Sequence, residues 1–177
     1  MANVTELYER EREVPSEAGA EHAEAVQRFI ADASARCAYL VTFRRDGRPV
    51  SRPVAAFVDG WRIHTVTQAV HVKTQHVRHH PTAGYLFVGL VPYTTTSPAP
   101  HLQNVWVEGH AQLVEDRAEL DAFYARREQV TGRGDPHAGD EAWQPKLISV
   151  TPRYVRAEGF ADGLHPVVLR KAELQQG

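Results

Sequence analysis

Residues 37–67, CAYLVTFRRDGRPVSRPVAAFVDGWRIHTVT, hold three runs rich in β-branched and aromatic residues, interrupted by Asp46-Gly47 and Asp59-Gly60. Asp-Gly suits tight turns because glycine enters the φ > 0 region without a side-chain clash. Connections this short join antiparallel neighbours, since a parallel pair needs a crossover of about a dozen residues or more. The stretch therefore predicts a three-stranded antiparallel meander, and it lacks the βαβ rhythm of a parallel sheet. No GxGxxG or Walker sequence occurs in the chain, which argues against a dinucleotide or P-loop fold.

The rest of the chain adds helices and further strands. SEAGAEHAEAVQRFIADASA places Ala20, Ala23, Val26 and Ile30 at helical spacing behind Ser16, a suitable N-cap. Residues 70–80 predict a short helix with Val70, Val77 and the Lys73 stem on one face, ended by Pro81. GYLFVGLV (Gly84 to Val91) and NVWVEGHAQLV (Asn104 to Val114) read as strands, joined by the polar loop PYTTTSPAPHLQ; connections of this length are often functional. DRAELDAFYARREQV predicts a second amphipathic helix with Leu120, Phe123 and Tyr124 inward. In the Gly-rich connection after it, Arg133-Gly134-Asp135 reads as a turn. KLISVTPRYVRAEGF supplies a last strand, with HPVVLRK as a further one. Six or so antiparallel strands with inserted helices predict a mainly β chain that closes, fully or partly, into a barrel. Residues 16–177 are expected to form one domain, preceded by an N-terminal arm over 1–15.

Bulk properties narrow the partners. Twenty Lys plus Arg against 22 Asp plus Glu give a net charge of −2, so nothing global calls for nucleic acid or a membrane surface. No apolar run approaches the ~18 residues of a membrane span, and the charged N-terminus lacks an apolar secretion core. A cytoplasmic location is expected. The single cysteine, Cys37, cannot form an intramolecular disulfide, and its apolar surroundings, CAYLV, predict a core role.

The stretch HVKTQHVRHHP, His71 to Pro81, concentrates chemistry. His76 and His80 share a helical face, but His79 and His80 diverge and no HExxH or cysteine pair completes a metal set. No metal site is expected, and His76, His79 and His80 read as helix surface or helix end. The cluster is also too short, in too acidic a chain, for a nucleic-acid patch. An anion cradle fits more residues. Thr65 and Thr67 share one face of a strand that runs into a turn and then the start of a helix carrying Lys73. On the preceding strand Arg52 shares a side with Val50 and Val54, a run expected to be buried. A guanidinium there needs an anionic partner, either a phosphate or an Asp or Glu.

Taken together, YLVTFRRDGRPVSRPVAAFVDGWRIHTVTQAVHVKTQHVRHHPTAGYLFV resembles the signature half of the pyridoxamine-phosphate-oxidase-like split-barrel flavoproteins, which include deazaflavin-dependent reductases. The matching parts are Thr42, Asp46-Gly47-Arg48-Pro49, Thr65 or Thr67, Lys73 and His80-Pro81. NVWVEGHAQLVED continues the likeness, which covers roughly residues 25 to 160. The resemblance implies a six-stranded antiparallel split β-barrel of the FMN-binding type with flanking helices. It implies a homodimer with the cofactors across its interface. Phosphate contacts are implied for Arg52, Lys73 and either Thr65 or Thr67, with His71 nearby. Pro53, Val54 and Ala55 correspond to the backbone along the flavin ring, and Asn104 to an amide that reaches the ring from the second subunit.

True pyridoxamine-phosphate oxidases share an Arg-x-His-x-x-Arg signature, whereas EGFADGLHPVVLRK has His165 without the preceding arginine, so oxidation of the B6 vitamer is not expected. No residue stands out as a general acid or base, in keeping with chemistry carried by a cofactor. Tyr93, Thr94, Thr95, Thr96, His101, Trp106 and Trp143 are candidates for lining a substrate pocket. The implied activity is FMN-dependent oxidoreduction of a small organic substrate by hydride transfer. FMN is favoured because Arg52, Thr67 and Lys73 account for one phosphate. The alternatives are a deazaflavin-dependent reductase, a non-catalytic flavin-binding protein, or a haem-binding enzyme of the same fold, which would need a histidine ligand such as His64, His71 or His101.

Overall fold

The structure, a computed structural model, describes residues 19–34, 37–91, 101–140, 142–161, 166–172 and 174. The arm over 1–15, Ser16, the loop residues Tyr93 to Thr96 and His165 lie outside them. In chain order the elements are α1 (Gly19–Ser34), β1 (Ala38–Phe43), β2 (Pro49–Val54), β3 (Phe57–Asp59), β4 (Arg62–Gln68), α2 (Val72–His79), β5 (Thr82–Val91), β6 (His101–Val114), α3 (Arg117–Thr131), β7 (Pro145–Glu158) and β8 (Val167–Arg170). The eight strands among the described residues, two more than the sequence predicts, form one antiparallel sheet ordered β2-β1-β5-β6-β7-β4-β3, with β8 on β7.

That order dictates closure. β2 and β3 sit at opposite ends of the path yet are separated by Ala55 and Ala56 alone. In a flat sheet, seven strands at ~4.8 Å spacing would hold the end strands about 29 Å apart. The three Cα steps from Val54 to Phe57 reach at most about 11 Å. The sheet must therefore curl until its ends meet, which makes it a split barrel with its corner at Ala55-Ala56. The same fact corrects the predicted meander: its middle run divides into β2, paired with β1, and β3, paired with β4. Both Asp-Gly turns stand where expected, with Gly47 at φ 82 and Gly60 at φ 58.

The inward positions explain which residues fill the barrel. Ala38, Leu40, Ile63, Tyr85, Phe87, Val105, Val107, Ile148, Val150 and Val155 are almost wholly buried there. Val26 and Ile30 of α1 join this core, where the helix packs against β3, β5 and β8. At one end the inward rows turn polar: β1 reads Ala38, Leu40, Thr42 and β4 reads Ile63, Thr65, Thr67, with all three threonines buried. Buried hydroxyls need partners, and α2 lies over this mouth and supplies two of them. A second apolar cluster forms outside the barrel, where Leu120, Phe123 and Tyr124 of α3 pack on Phe57, Val114 and Leu147. These are the inward residues expected for this helix. Asp116 caps it, its carboxylate accepting from the Glu119 N–H at 3.0 Å, and Gly132 ends it at φ 69.

Three burial expectations are overturned. Val70 lies before α2 and is 80% exposed, because the helix starts only at Val72. Cys37 is exposed, one residue before the inward row of β1 begins. Arg52, Val50 and Val54 are half-buried, not buried, since β2 pairs only with β1.

Candidate functional site

The polar mouth is built from three hydrogen bonds. Thr42 Oγ1 meets His76 Nδ1 at 2.9 Å, Thr65 Oγ1 meets the Tyr85 hydroxyl at 2.8 Å, and Thr67 Oγ1 meets His71 Nδ1 at 2.9 Å. Thr65 also donates to the Ala55 carbonyl at 3.4 Å, tying β4 to the barrel corner. His76 is therefore not helix surface as its sequence suggests: it is 7% exposed and docks α2 onto β1. Burial, then the charges of Arg52 and Arg44, hold its imidazole below its usual pKa. His79 is exposed, and His80 caps the C-terminus of α2 with its N–H on the His76 carbonyl at 2.8 Å.

His71 occupies the N-cap of α2, and Lys73 is the second helical residue. The Thr67 hydroxyl and the Gln68 N–H, at 2.9 and 3.4 Å, both aim at His71 Nδ1, which leaves Nε2 to carry the ring proton. Lys73 is half-buried, and its pKa is pulled below the usual lysine value first by burial and then by the neighbouring Arg52 charge. Neither Arg52 nor Lys73 forms an ion pair among the described residues. Two cations close enough to repel, at a helix start with free N–H groups, suit an anion. Of the two readings for Arg52, pairing with an Asp or Glu finds no support. Arg78, another basic group of α2, is held by Glu115 at 2.8 Å.

Beside Lys73 opens a pocket of about 290 Å3. Pro53, Val54, Ala55 and Ala56 form one wall at the barrel corner, with Thr65 and Lys73 at the mouth side. The lining also includes Phe57, His64, Phe123, Arg127, His137 and Trp143, of which the sequence offered only His64 and Trp143 as candidates for the site's chemistry. His64 packs against both the Phe57 and Phe123 rings, at 6.2 and 5.4 Å, which themselves meet at 5.8 Å, and its Nδ1 is buried without a hydrogen-bond partner among the described residues. Burial drives its pKa down to about 4, so the ring is neutral at physiological pH. His137 stacks on Trp143 at 3.9 Å, and Arg127 donates to the Gly134 carbonyl at 3.3 Å. This part of the lining was illegible because α3 and the segment after it carry no recognisable motif; only the topology folds them over β4.

Asn104 lies elsewhere in this chain. It is on β6, three strands from β2, and its amide donates to Glu158 at 2.9 Å, holding that carboxyl below the usual range. It faces outward with Leu86, Val88, Leu102 and Trp106, while Tyr39 and Val41 continue the face on β1. Trp106 lies over Gly84, where a Cβ would collide with its indole. This outer face is largely apolar, with Tyr39 43%, Val88 45% and Leu102 60% exposed. Among the described residues no group of three or more His, Cys, Asp or Glu side chains is arranged to hold a metal ion. No described helix is long and apolar enough to cross a membrane.

The fold is a split barrel whose mouth helix presents a lysine beside a strand arginine, neither of them ion-paired among the described residues, and sequence comparison supplies the family. The family described as pyridoxamine 5'-phosphate oxidase matches residues 22–158, well over half of the chain, and the protein belongs to that family. Among solved structures it is similar to the conserved hypothetical protein Rv2991 of Mycobacterium tuberculosis, at 23% identity over 81% of this chain and 84% of that one, with a TM-score of 0.57. It is similar to General Stress Protein 26 of Bacillus anthracis, at 18% identity over 82% and 98%, with a TM-score of 0.54. It is also similar to a heme binding protein of Mycobacterium smegmatis, at 16% identity over 92% of this chain and 61% of that one, with a TM-score of 0.63. At these identities the likeness is one of fold. No curated protein matches the sequence.

Proposed function

We propose that the protein is an FMN-dependent oxidoreductase acting on a small organic substrate, and that it works as a homodimer. The observation that carries this reading is the Arg52–Lys73 pair: two cations that repel each other and have no acidic partner among the described residues, at the start of α2. The residues fit a phosphomonoester. Arg52 offers a guanidinium fork, Lys73 an ammonium, and the first turn of α2 the N–H groups of Val72 and Lys73, those of His71 and Thr74 being bonded to the Gln68 and His71 carbonyls, while the His71 Nε2–H is available nearby. Thr67, bound to His71, orients that imidazole; Thr65, committed to Tyr85 and Ala55, shapes the corner instead.

When bound, the flavin would supply hydride chemistry. The chain's part is to bind, orient and exclude water. Pro53, Val54 and Ala55 line the pocket at the barrel corner, and Phe57, Phe123 and Trp143 add apolar surface to it. Neutral His64 adds no charge to this lining, which favours an uncharged ring over a cation. FMN is favoured over a deazaflavin with a longer anionic tail because Arg52, Thr67 and Lys73 account for one phosphate and Arg78, the basic group of α2 nearest at hand for such a tail, is held by Glu115. The outer face bearing Tyr39, Val88, Leu102 and Trp106 is the surface on which a second copy would bury apolar area, bringing Asn104 towards the partner's cofactor.

A second reading, haem, is supported by His64, whose neutral imidazole in the same pocket has the protonation state an axial ligand requires. The absorption spectrum of the purified protein reconstituted with each cofactor separates the two. Flavin bands near ~450 nm, with tight FMN binding, support the first reading; a sharp Soret band lost in His64→Ala replaces it with the second.

A further inference from the structure

A second cavity, of about 550 Å3, opens at the other end of β4. Its lining residue Arg62 starts that strand, whereas Thr67, bound to the cap of α2, is five residues on, about 17 Å away along an extended chain. The cavity has a topological cause. β7 pairs with β4 only as far as Val150 and with β8 only from Tyr154, so Thr151 and Pro152 have a ladder neighbour on the β6 side alone and Arg153 has none. Where one neighbour stops before the next begins, the wall has a gap.

The backbone is irregular at the same place. The β6–β7 register shifts between Glu108 and Gly109, which leaves Arg153 as the extra residue with no counterpart on β6. A bulge of this kind re-aims the unpaired side chain and bends the strand, and bulges concentrate beside sites. Gly109 is demanded by the close crossing, since a Cβ there would strike the Thr151 carbonyl.

The chemistry around the gap is one-sided. Arg62, Arg153, Lys171 and His110 line the cavity from four different strands or their ends. Arg62, Arg153 and Lys171 form no ion pair among the described residues. The acid that lines it, Asp59, is taken by Arg126 in a two-pronged contact of 2.9 and 3.1 Å; Arg62 is a weaker influence on that carboxyl. The floor is apolar and buried, formed by Trp61, Pro152 and Leu174. In a chain of net charge −2, three cations without an ion pair among the described residues, beside one acid already held by Arg126, form a local reversal of sign over the indole.

We propose that this cavity is a second ligand site, taking a small organic phosphate whose ring rests on Trp61 and Pro152 and whose charge is shared by Arg62, Arg153 and Lys171. Guanidiniums on β4 and β7 with an ammonium just past the end of β8 match a dianion better than a single carboxylate. The volume lies within the range of small-molecule sites, about 300–1,000 Å3.

The test uses phenyl phosphate as probe, measured by calorimetry on the full chain carrying Arg52→Ala and Lys73→Ala, so that the mouth of the barrel contributes no phosphate binding. The expected result is one equivalent bound at roughly 0.15 M salt, weakened at least tenfold by each of Arg62→Gln, Arg153→Gln and Lys171→Gln. These three residues are exposed, so the variants are expected to keep the parent's circular dichroism and thermal midpoint. FMN binding to the otherwise unaltered chain should be the same with and without Arg62→Gln. The proposal is overturned by binding that vanishes at 0.15 M salt, or by binding indifferent to the three glutamine substitutions. Neither outcome depends on whether FMN occupies the other end.

Discussion

His64 offers a quantitative test of how the pocket wall is built. Unfolded, its imidazole gains a proton as the pH falls through about 6.5; folded, burial against Phe57 and Phe123 delays that until about 4. Between these values the unfolded chain binds the extra proton, so stability falls with falling pH and levels off below pH 4. The separation corresponds to about 3 kcal/mol in full, and to about 2 kcal/mol at pH 5, where the unfolded imidazole is almost fully charged. Asp46, Asp59, Glu115 and Glu158, all with lowered pKa values, also lose stabilising pairs in acid, at lower pH. Comparison with His64→Gln cancels their contribution. Urea unfolding of the ligand-free protein at pH 7.5 and pH 5 should show the wild type losing about 2 kcal/mol more than the variant, a midpoint shift of about 1 M. Parallel losses in the two proteins would refute the claim that this ring is desolvated and neutral.

Three further outcomes follow from the geometry. Gly109→Ala should destabilise the chain by about 2 kcal/mol or more, because the new methyl meets backbone and not a movable side chain; thermal unfolding reads it. His76→Ala should cost about 1–3 kcal/mol by leaving the Thr42 hydroxyl unsatisfied, and Thr42→Val in the same background should recover part of that loss, measured by the same unfolding cycle. Val88→Arg should convert a dimer into a monomer in light scattering at micromolar concentration, with the helix and strand content of the circular dichroism spectrum kept; a wild type that is already monomeric contradicts the proposed interface.

The sequence shows the strands plainly but not their neighbours. The two Asp-Gly turns and the alternation in Ile63, Thr65 and Thr67 locate strands and their inward faces, because those signals are local. What hid the barrel corner is that Ala55-Ala56 continues the apolar run of β2 into β3 without a turn residue, so a change of sheet partner looks like one long strand. His76 was misread for a related reason: an isolated helix shows its spacing but not the buried Thr42 waiting on β1, 34 residues away. That Lys73 and Arg52 come close together was legible from family spacing, while the place of Phe123, Arg127 and His137 around the pocket was not, because it depends on how α3 folds back over β4. The apparent histidine cluster resolves into separate roles: a helix cap, a buried docking group, an exposed side chain and a C-terminal cap.

The most direct measurement of the central claim compares the dissociation constants of FMN and riboflavin, which differ only in the phosphate, for the wild type and for Arg52→Ala/Lys73→Ala. The account predicts that the wild type prefers FMN by about 100-fold or more, two charge-assisted contacts of ~1.5 kcal/mol each, and that the double variant loses this preference while binding riboflavin unchanged. Equal preference for FMN in both proteins would contradict it.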